Sequence, residues 1–239
     1  MNLRTWCARV LTLGAALLFI PACKRSDDDD LTPLAVTFTS PINGAGSVPR
    51  QPVVTIRFNR ALNPATVIPL NFILVDSLSA IIPAPVSYEA CMNEVRLVPS
   101  AALDPAATYQ VTLMPGITDE QDMRFQGSFF QFIINNSNDV DRPTFSGATT
   151  AVNPTQTTIN LAWSAGSDLS GNVVYDVFLS GTSGCFDFTV PFITSVSNPT
   201  GTTVTGLTAN TTYFFVVRAR DPFGNVDLNE VEQGGTTLP

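Results

Sequence analysis

The sequence predicts an all-β chain of two tandem Greek-key β-sandwiches. Three observations carry that expectation. Threonine, serine, valine, proline and glycine set the tone of a chain with 44% hydrophobic and only 13% charged residues, a balance that favours strands and turns over helices. Apolar residues alternate with a period of two in short runs, as in Val54, Ile56, Phe58 and in Ile159, Leu161, Trp163. A leucine leads through a small polar turn into a strand opened by a tyrosine twice, from Leu103 to Tyr109 and from Leu207 to Tyr213. A tyrosine so placed can bury its ring and return its hydroxyl to the turn backbone, the tyrosine corner of Greek-key sandwiches.

Composition also excludes. The formal net charge is −8 and Lys24 is the single lysine, so the basic surface that nucleic-acid binding requires is missing. No histidine occurs, which rules out Ser-His-Asp and Cys-His pairs and any His-ligated metal. The four cysteines, Cys7, Cys23, Cys91 and Cys185, form no C-x-x-C pair.

Residues 1–22 read as a targeting leader: Arg4 and Arg9 give a positive start, and Val10 to Ile20 is an apolar run short for a bilayer span. Ile20-Pro21-Ala22-Cys23 resembles a bacterial lipobox, and the resemblance implies lipidation of Cys23, which becomes the mature N-terminus. Residues 23–32 then form an acidic tether in which Asp27 to Asp30 repel one another and stay solvated. Lys24 in place of an aspartate lacks the inner-membrane retention signal, so in a host with an outer membrane the chain is expected there or at the cell surface.

The first sandwich is expected over residues 33–136. Val36 to Ser40 opens it; Val54, Ile56 and Phe58 continue it. Asn63 followed by Pro64 fits a short helical turn with an N-cap. Strands follow at Asn71 to Val75, Val86 to Tyr88 and Val95 to Val98, then the Tyr109 corner, an acidic loop at Asp119 to Asp122, and a last apolar strand at Gly127 to Ile134. Thr39-Ser40-Pro41-Ile42-Asn43-Gly44, Ile56-Arg57-Phe58-Asn59-Arg60, Asn63-Pro64-Ala65-Thr66, Leu103-Asp104-Pro105 and Thr108-Tyr109 together resemble the bacterial Ig-like domain of S-layer proteins.

Residues 137–142 read as a linker, and residues 143–239 as the second sandwich. Tyr175, Val177 and Leu179 alternate, as do Tyr213, Phe215, Val217 and Ala219, before a turn at Asp221 to Asn225. Trp163, Tyr175, Leu207, Tyr213 and Ala219 stand where a fibronectin type III domain places its core, and the segment resembles that family. The two sandwiches are expected to unfold independently.

Several residues invite a functional reading. Period-two counting sends Phe178, Phe214 and Val216 to the outer face of neighbouring strands, a candidate interaction surface unless the Cys185-Phe186-Asp187-Phe188 segment or the first sandwich covers it. Asp221, Asn225, Asp227 and Glu230, and likewise Asp119, Glu120 and Asp122, offer oxygen ligands, but their spacing matches no calcium loop and they read as solvated turns, so no metal and no cofactor is expected. For Cys91 and Cys185, an interdomain bridge and two free thiols fit the sequence equally.

These readings converge on a non-catalytic, envelope-anchored lipoprotein acting as a surface interaction or adhesion module. The partners expected are the membrane, through the lipid, and a protein or glycan. A passive structural spacer and an accessory module for extracellular carbohydrate handling are the alternatives.

Overall fold

The computed structural model describes residues 32–197 and 200–239. The leader, Cys23 and the aspartates Asp27 to Asp30 lie outside the described residues. Helical structure within them is confined to two three-residue 3-10 turns, Pro64–Thr66 and Ala90–Met92. The first has the expected cap: Asn63 Oδ1 accepts from the Ala65 N–H at 3.1 Å, with Pro64 at the first position. No described helix is long and apolar enough to cross a membrane.

The first sandwich has nine strands: β1 (Val36–Ser40), β2 (Ala45–Val48), β3 (Val54–Phe58), β4 (Phe72–Asp76), β5 (Ile81–Ile82), β6 (Val86–Glu89), β7 (Glu94–Leu97), β8 (Thr108–Leu113) and β9 (Ser128–Ile134). They form one sheet in the order β1-β3-β7-β6 and a second in the order β2-β9-β8-β4-β5. Pairing is antiparallel except where β2 runs parallel to β9. Val54, Ile56 and Phe58 of β3 point into the shared core with Phe72, Leu74, Val95, Leu97, Val111 and Phe132, as alternation requires.

The second sandwich contains β10 (Ala148–Val152), β11 (Ile159–Trp163), β12 (Val174–Ser180), β13 (Ile193–Val196), β14 (Gly201–Val204), β15 (Thr212–Arg220) and β16 (Glu232–Thr236). Sheet β10-β11-β14 packs on sheet β13-β12-β15-β16. Between them lie Trp163, Tyr175 and Leu207, all buried, with Val177, Phe215 and Val217.

All four tyrosines end on backbone. The Tyr109 hydroxyl accepts from Asp104 N at 2.9 Å and the Tyr213 hydroxyl from Thr208 N at 3.0 Å, so both corners close. Tyr88 takes Leu62 N and Tyr175 takes Gly166 N, each at 2.8 Å. In each case the ring is packed while its one polar atom satisfies a turn amide.

Pro33–Pro239 form one compact unit, so the two sandwiches are joined rather than strung on a loose linker. The disulfide Cys91–Cys185 crosses between them, with 6.0 Å between Cα atoms, inside the ordinary range. Arg142, at the end of the expected linker, donates to Gln51 Oε1 (2.9 Å) and Gln51 O (2.7 Å) on one side and to Val226 O (2.6 Å) on the other. Those bonds make the linker part of the junction.

Candidate functional site

The outer face that carries Phe178, Phe214 and Val216 is not an open surface. Phe178 is 4% exposed and Val216 is 1% exposed, and Phe214 is half-buried beside them. The cover is one that the sequence allowed. After β12 the chain folds back, and Phe186 and Phe188 lie over the sheet: Phe188 meets Phe178 edge-on at 5.2 Å and stacks on Phe186 at 5.8 Å. These five residues form a third small core, separate from the two between-sheet cores.

The first sandwich closes the other side of that lid. On β3 and β7, Arg57 and Arg96 point outward and share the buried carboxylate of Glu94, at 2.7 and 2.6 Å. Arg57 also donates to Asp187 and, at 3.2 Å, to Thr189. Arg96 lies 5.1 Å from the centre of the Phe188 ring and reaches Glu230 at 3.3 Å. Thr55, on the outer face of β3, is therefore buried too. Burial, partly offset by Asp227 and Glu230, lowers the Arg218 guanidinium to about 10; neighbouring Arg96 and Arg142 push the same way. A cleft of about 500 Å³ remains along this junction, edged by Ser87, Arg96, Asp176, Arg218 and Glu230. Asp176 is paired with Arg220 at 2.8 Å, Glu230 with Arg96 and, at 3.7 Å, with Arg218, and Arg142 on the same wall is bonded to Gln51 and Val226.

The acidic loops separate by environment. Asp119 is buried, holds Arg60 at 2.8 Å, and accepts from the amides of Gln121 and Met123, so it is a loop anchor. Asp227 is likewise turned inward, accepting from Ala219 N and Asn229, and burial raises its carboxyl despite those bonds. The grouping read from the hairpin therefore does not form. Asp221 instead converges with two residues from elsewhere, Asp139 and Asp168, their ligand atoms all within 4.8 Å of one another. Sequence inspection could not find that group, because its members lie on three separate segments.

The open surface lies on the other side of the first sandwich. Alternation along β9 exposes Phe129, Gln131 and Ile133; Phe129 is 65% exposed. Across β8, Thr112 pairs with Phe129 and Gln110 with Gln131. Gln131 Nε2 donates to Gln110 Oε1 at 2.9 Å and Gln110 Nε2 to Thr112 Oγ1 at 3.0 Å, a chain of amides running beside the ring. Ile73 and Val75 of β4 extend the face, and none of these residues is charged. A depression of about 140 Å³ opens at one end, between Asp76, Ser77, Ser79 and the two glutamines; Asp76 there holds the Leu78 and Ala80 amides of its own turn. The strong alternation of β9 marks this face in the sequence; what hid it was the brighter signal of Phe178 and Phe214.

The family described as bacterial Ig-like domain matches residues 30–132, and that described as fibronectin type III domain matches residues 141–231. Chitinase Chi52 of Paenibacillus xylanexedens is 34% identical over 99 residues, covering 41% of this chain and 17% of the chitinase. Chitinase D of Niallia circulans is 36% identical over 83 residues, 35% of this chain and 14% of that protein. Endoglucanase B of Cellulomonas fimi is 38% identical over 106 residues, 42% of this chain and 9% of that enzyme. The chain thus spans a minor part, 9–17%, of the relatives it matches. Among solved structures, domains 1–6 of the surface layer protein SbsC align over 84% of this chain and 34% of SbsC, at 14% identity and a TM-score of 0.39. A likeness that low carries no functional argument.

Proposed function

For a chain that carries a bacterial Ig-like domain followed by a fibronectin type III domain, we propose a non-catalytic role as an envelope-anchored binding module for extracellular polysaccharide. Neither domain type is catalytic. The observation that carries the reading is the exposed Phe129 ring beside the Gln110–Gln131 amide pair on an uncharged sheet face. A neutral glycan offers the complement: C–H faces that lie on an aromatic ring, and hydroxyls that exchange hydrogen bonds with amides. The similarity to chitinases and an endoglucanase supports the same partner class. Lipidation at Cys23 would hold the module at the outer membrane or cell surface. Affinity electrophoresis of the full chain through gels containing soluble chitin and cellulose derivatives tests this. Retardation that Phe129→Ala abolishes, without loss of thermal stability, supports the reading; equal mobility with and without glycan removes it.

A second reading, a rigid spacer, is favoured by the disulfide and the covered Phe178 face, which stiffen the junction between the sandwiches. It follows if no glycan, peptidoglycan or host-matrix component retards the chain.

A further inference from the structure

Asp139 belongs to the segment joining the sandwiches, Asp168 to the loop between β11 and β12, and Asp221 follows β15. None of the three forms an ion pair among the described residues. The Asp139 and Asp168 carboxylates each spend one oxygen on local N–H or O–H donors: Asp139 Oδ1 on Asp141 N, and Asp168 Oδ1 on Ser170. Asp139 Oδ2 is buried and has no hydrogen-bond partner. The Arg220 guanidinium, whose charge is felt at Asp221, is bonded to Asp176. Three carboxylates so placed repel one another, and burial together with the Asp139 charge raises the Asp221 carboxyl, even against the hydrogen bonds it accepts.

A second feature stands apart from the carboxylates. Asn225 is 1% exposed, and its Oδ1 has no partner. Its Nδ2 donates to Asp221 Oδ2 at 2.8 Å, so the amide head sits against the cluster. Adding the ~2.2 Å span of an amide puts the bare oxygen at most about 5 Å from Asp221 Oδ2. A buried carbonyl oxygen without a donor is expensive unless it meets a cation.

We propose that Asp139, Asp168, Asp221 and Asn225 form a calcium site that locks the interdomain segment to the second sandwich. The ligands are hard oxygens. Calcium accepts an irregular shell of oxygens at about 2.3–2.6 Å, so carboxylate oxygens that all lie within 4.8 Å of one another can share it, whereas magnesium demands near-ideal octahedral geometry. A depression of about 450 Å³ lined by Asp141, Arg142, Thr144, Ser167, Asp168 and Leu169 opens beside Asp168; the Arg142 guanidinium on its wall is bonded to Gln51 and Val226. The segment is already positioned for this, since Thr144 and Ser167 exchange backbone hydrogen bonds of 2.8 and 3.0 Å. Bound calcium removes the mutual repulsion and ties three segments far apart in sequence to one point. The site is distinct from the β9 face, so its test stands apart from glycan binding.

The test is isothermal titration of the chelator-treated full chain with calcium chloride and with magnesium chloride, alongside thermal melts. The expected result is one calcium per chain, weaker or absent magnesium binding, and a melting temperature raised by roughly 5–10 °C at 100-fold excess over Kd. Asp139→Asn and Asp168→Asn should each abolish the heat and the calcium-dependent shift. In chelator both variants should melt at or above the wild-type temperature, because a repelling charge is gone; that rules out simple misfolding. Replacing Asp27 to Asp30 by asparagine should leave binding intact. The proposal is overturned by no heat and no shift up to about 10 mM calcium, by full binding in Asp168→Asn and Asp139→Asn, or by loss of binding in the tether variant alone.

Discussion

The guanidinium carbon of Arg218 lies 3.4 Å from the centre of the Phe188 ring, and this contact turns an outward-facing aromatic strip into a core. Strand alternation puts Arg218, Val216 and Phe214 on one side of β15, away from the Tyr213 and Phe215 side. Phe188 fills the space between that side and the first sandwich, with Arg218 flat against it. Phe178→Ser should therefore behave as a core substitution and cost about 3–5 kcal/mol. Phe188→Ser should cost less, about 1–2 kcal/mol, because that ring is half-buried. Urea denaturation measures both; unchanged midpoints would mean that the lid opens and the face is free.

The two tyrosine corners are alike in geometry and differ in burial. Tyr109 is 3% exposed and its bond to the Asp104 amide is part-buried, whereas the Tyr213 bond lies in an exposed setting. Removing a hydroxyl leaves a buried amide unpaired, but lets an exposed one turn to water. Tyr109→Phe should cost about 1–2 kcal/mol and Tyr213→Phe about 0.5 kcal/mol. Equal losses in chemical denaturation would contradict that reasoning.

Both corners were legible in the sequence because the information is local: six residues from leucine to tyrosine, then alternation. The same holds for Trp163 and Tyr175, whose burial follows from period two, and for Leu207, which leads into the second corner. What lay hidden depends on distant partners. For Phe178 the sequence offered both an open and a covered face, and the choice between them is made by Phe186 and Phe188 and by arginines on another sandwich. The Cys91–Cys185 bond spans 94 residues, and nothing local separates it from two free thiols. Asp221 looked like the partner of Asp227 because they share a hairpin; the fold sends Asp227 inward to Ala219 and brings Asp139 and Asp168 to Asp221 instead.

The joined sandwiches change the expected unfolding behaviour. With the disulfide intact, and with Arg57, Arg96 and Arg142 bonded across the junction, one cooperative transition is expected. Trp163, the only tryptophan beyond the leader, and far-ultraviolet circular dichroism should report the same midpoint. Replacing Cys91 and Cys185 by serine should remove about 2–4 kcal/mol. Two resolved transitions in the oxidised chain would show that the sandwiches fold as separate units after all.

The junction should also give the chain a pH dependence of opposite sign at two aspartates. Burial alone would raise the Asp187 carboxyl, but hydrogen bonds from Arg57 and Thr189 outweigh it and hold it below the ordinary aspartate value. Its stabilisation is therefore present above the unfolded-state pKa and lost as pH falls through the lowered folded value. Asp221 runs the other way: burial, assisted by Asp139, raises its carboxyl, so its contribution is present in acid and lost as pH rises through the raised value. Asp187→Asn should lower stability at pH about 7, with the difference from wild type vanishing only in strong acid, below the lowered folded value. Asp221→Asn, whose amide oxygen can still accept from Phe223 and Asn225 N–H and whose new Nδ2 can donate to Asn225 Oδ1 once that amide flips, should raise stability at neutral pH when a chelator is present. Its advantage should disappear in acid, where the wild-type carboxyl is already neutral. Urea titrations of the three chains across pH, with chelator throughout, check both signs; parallel curves for Asp187→Asn and Asp221→Asn would refute the assignment.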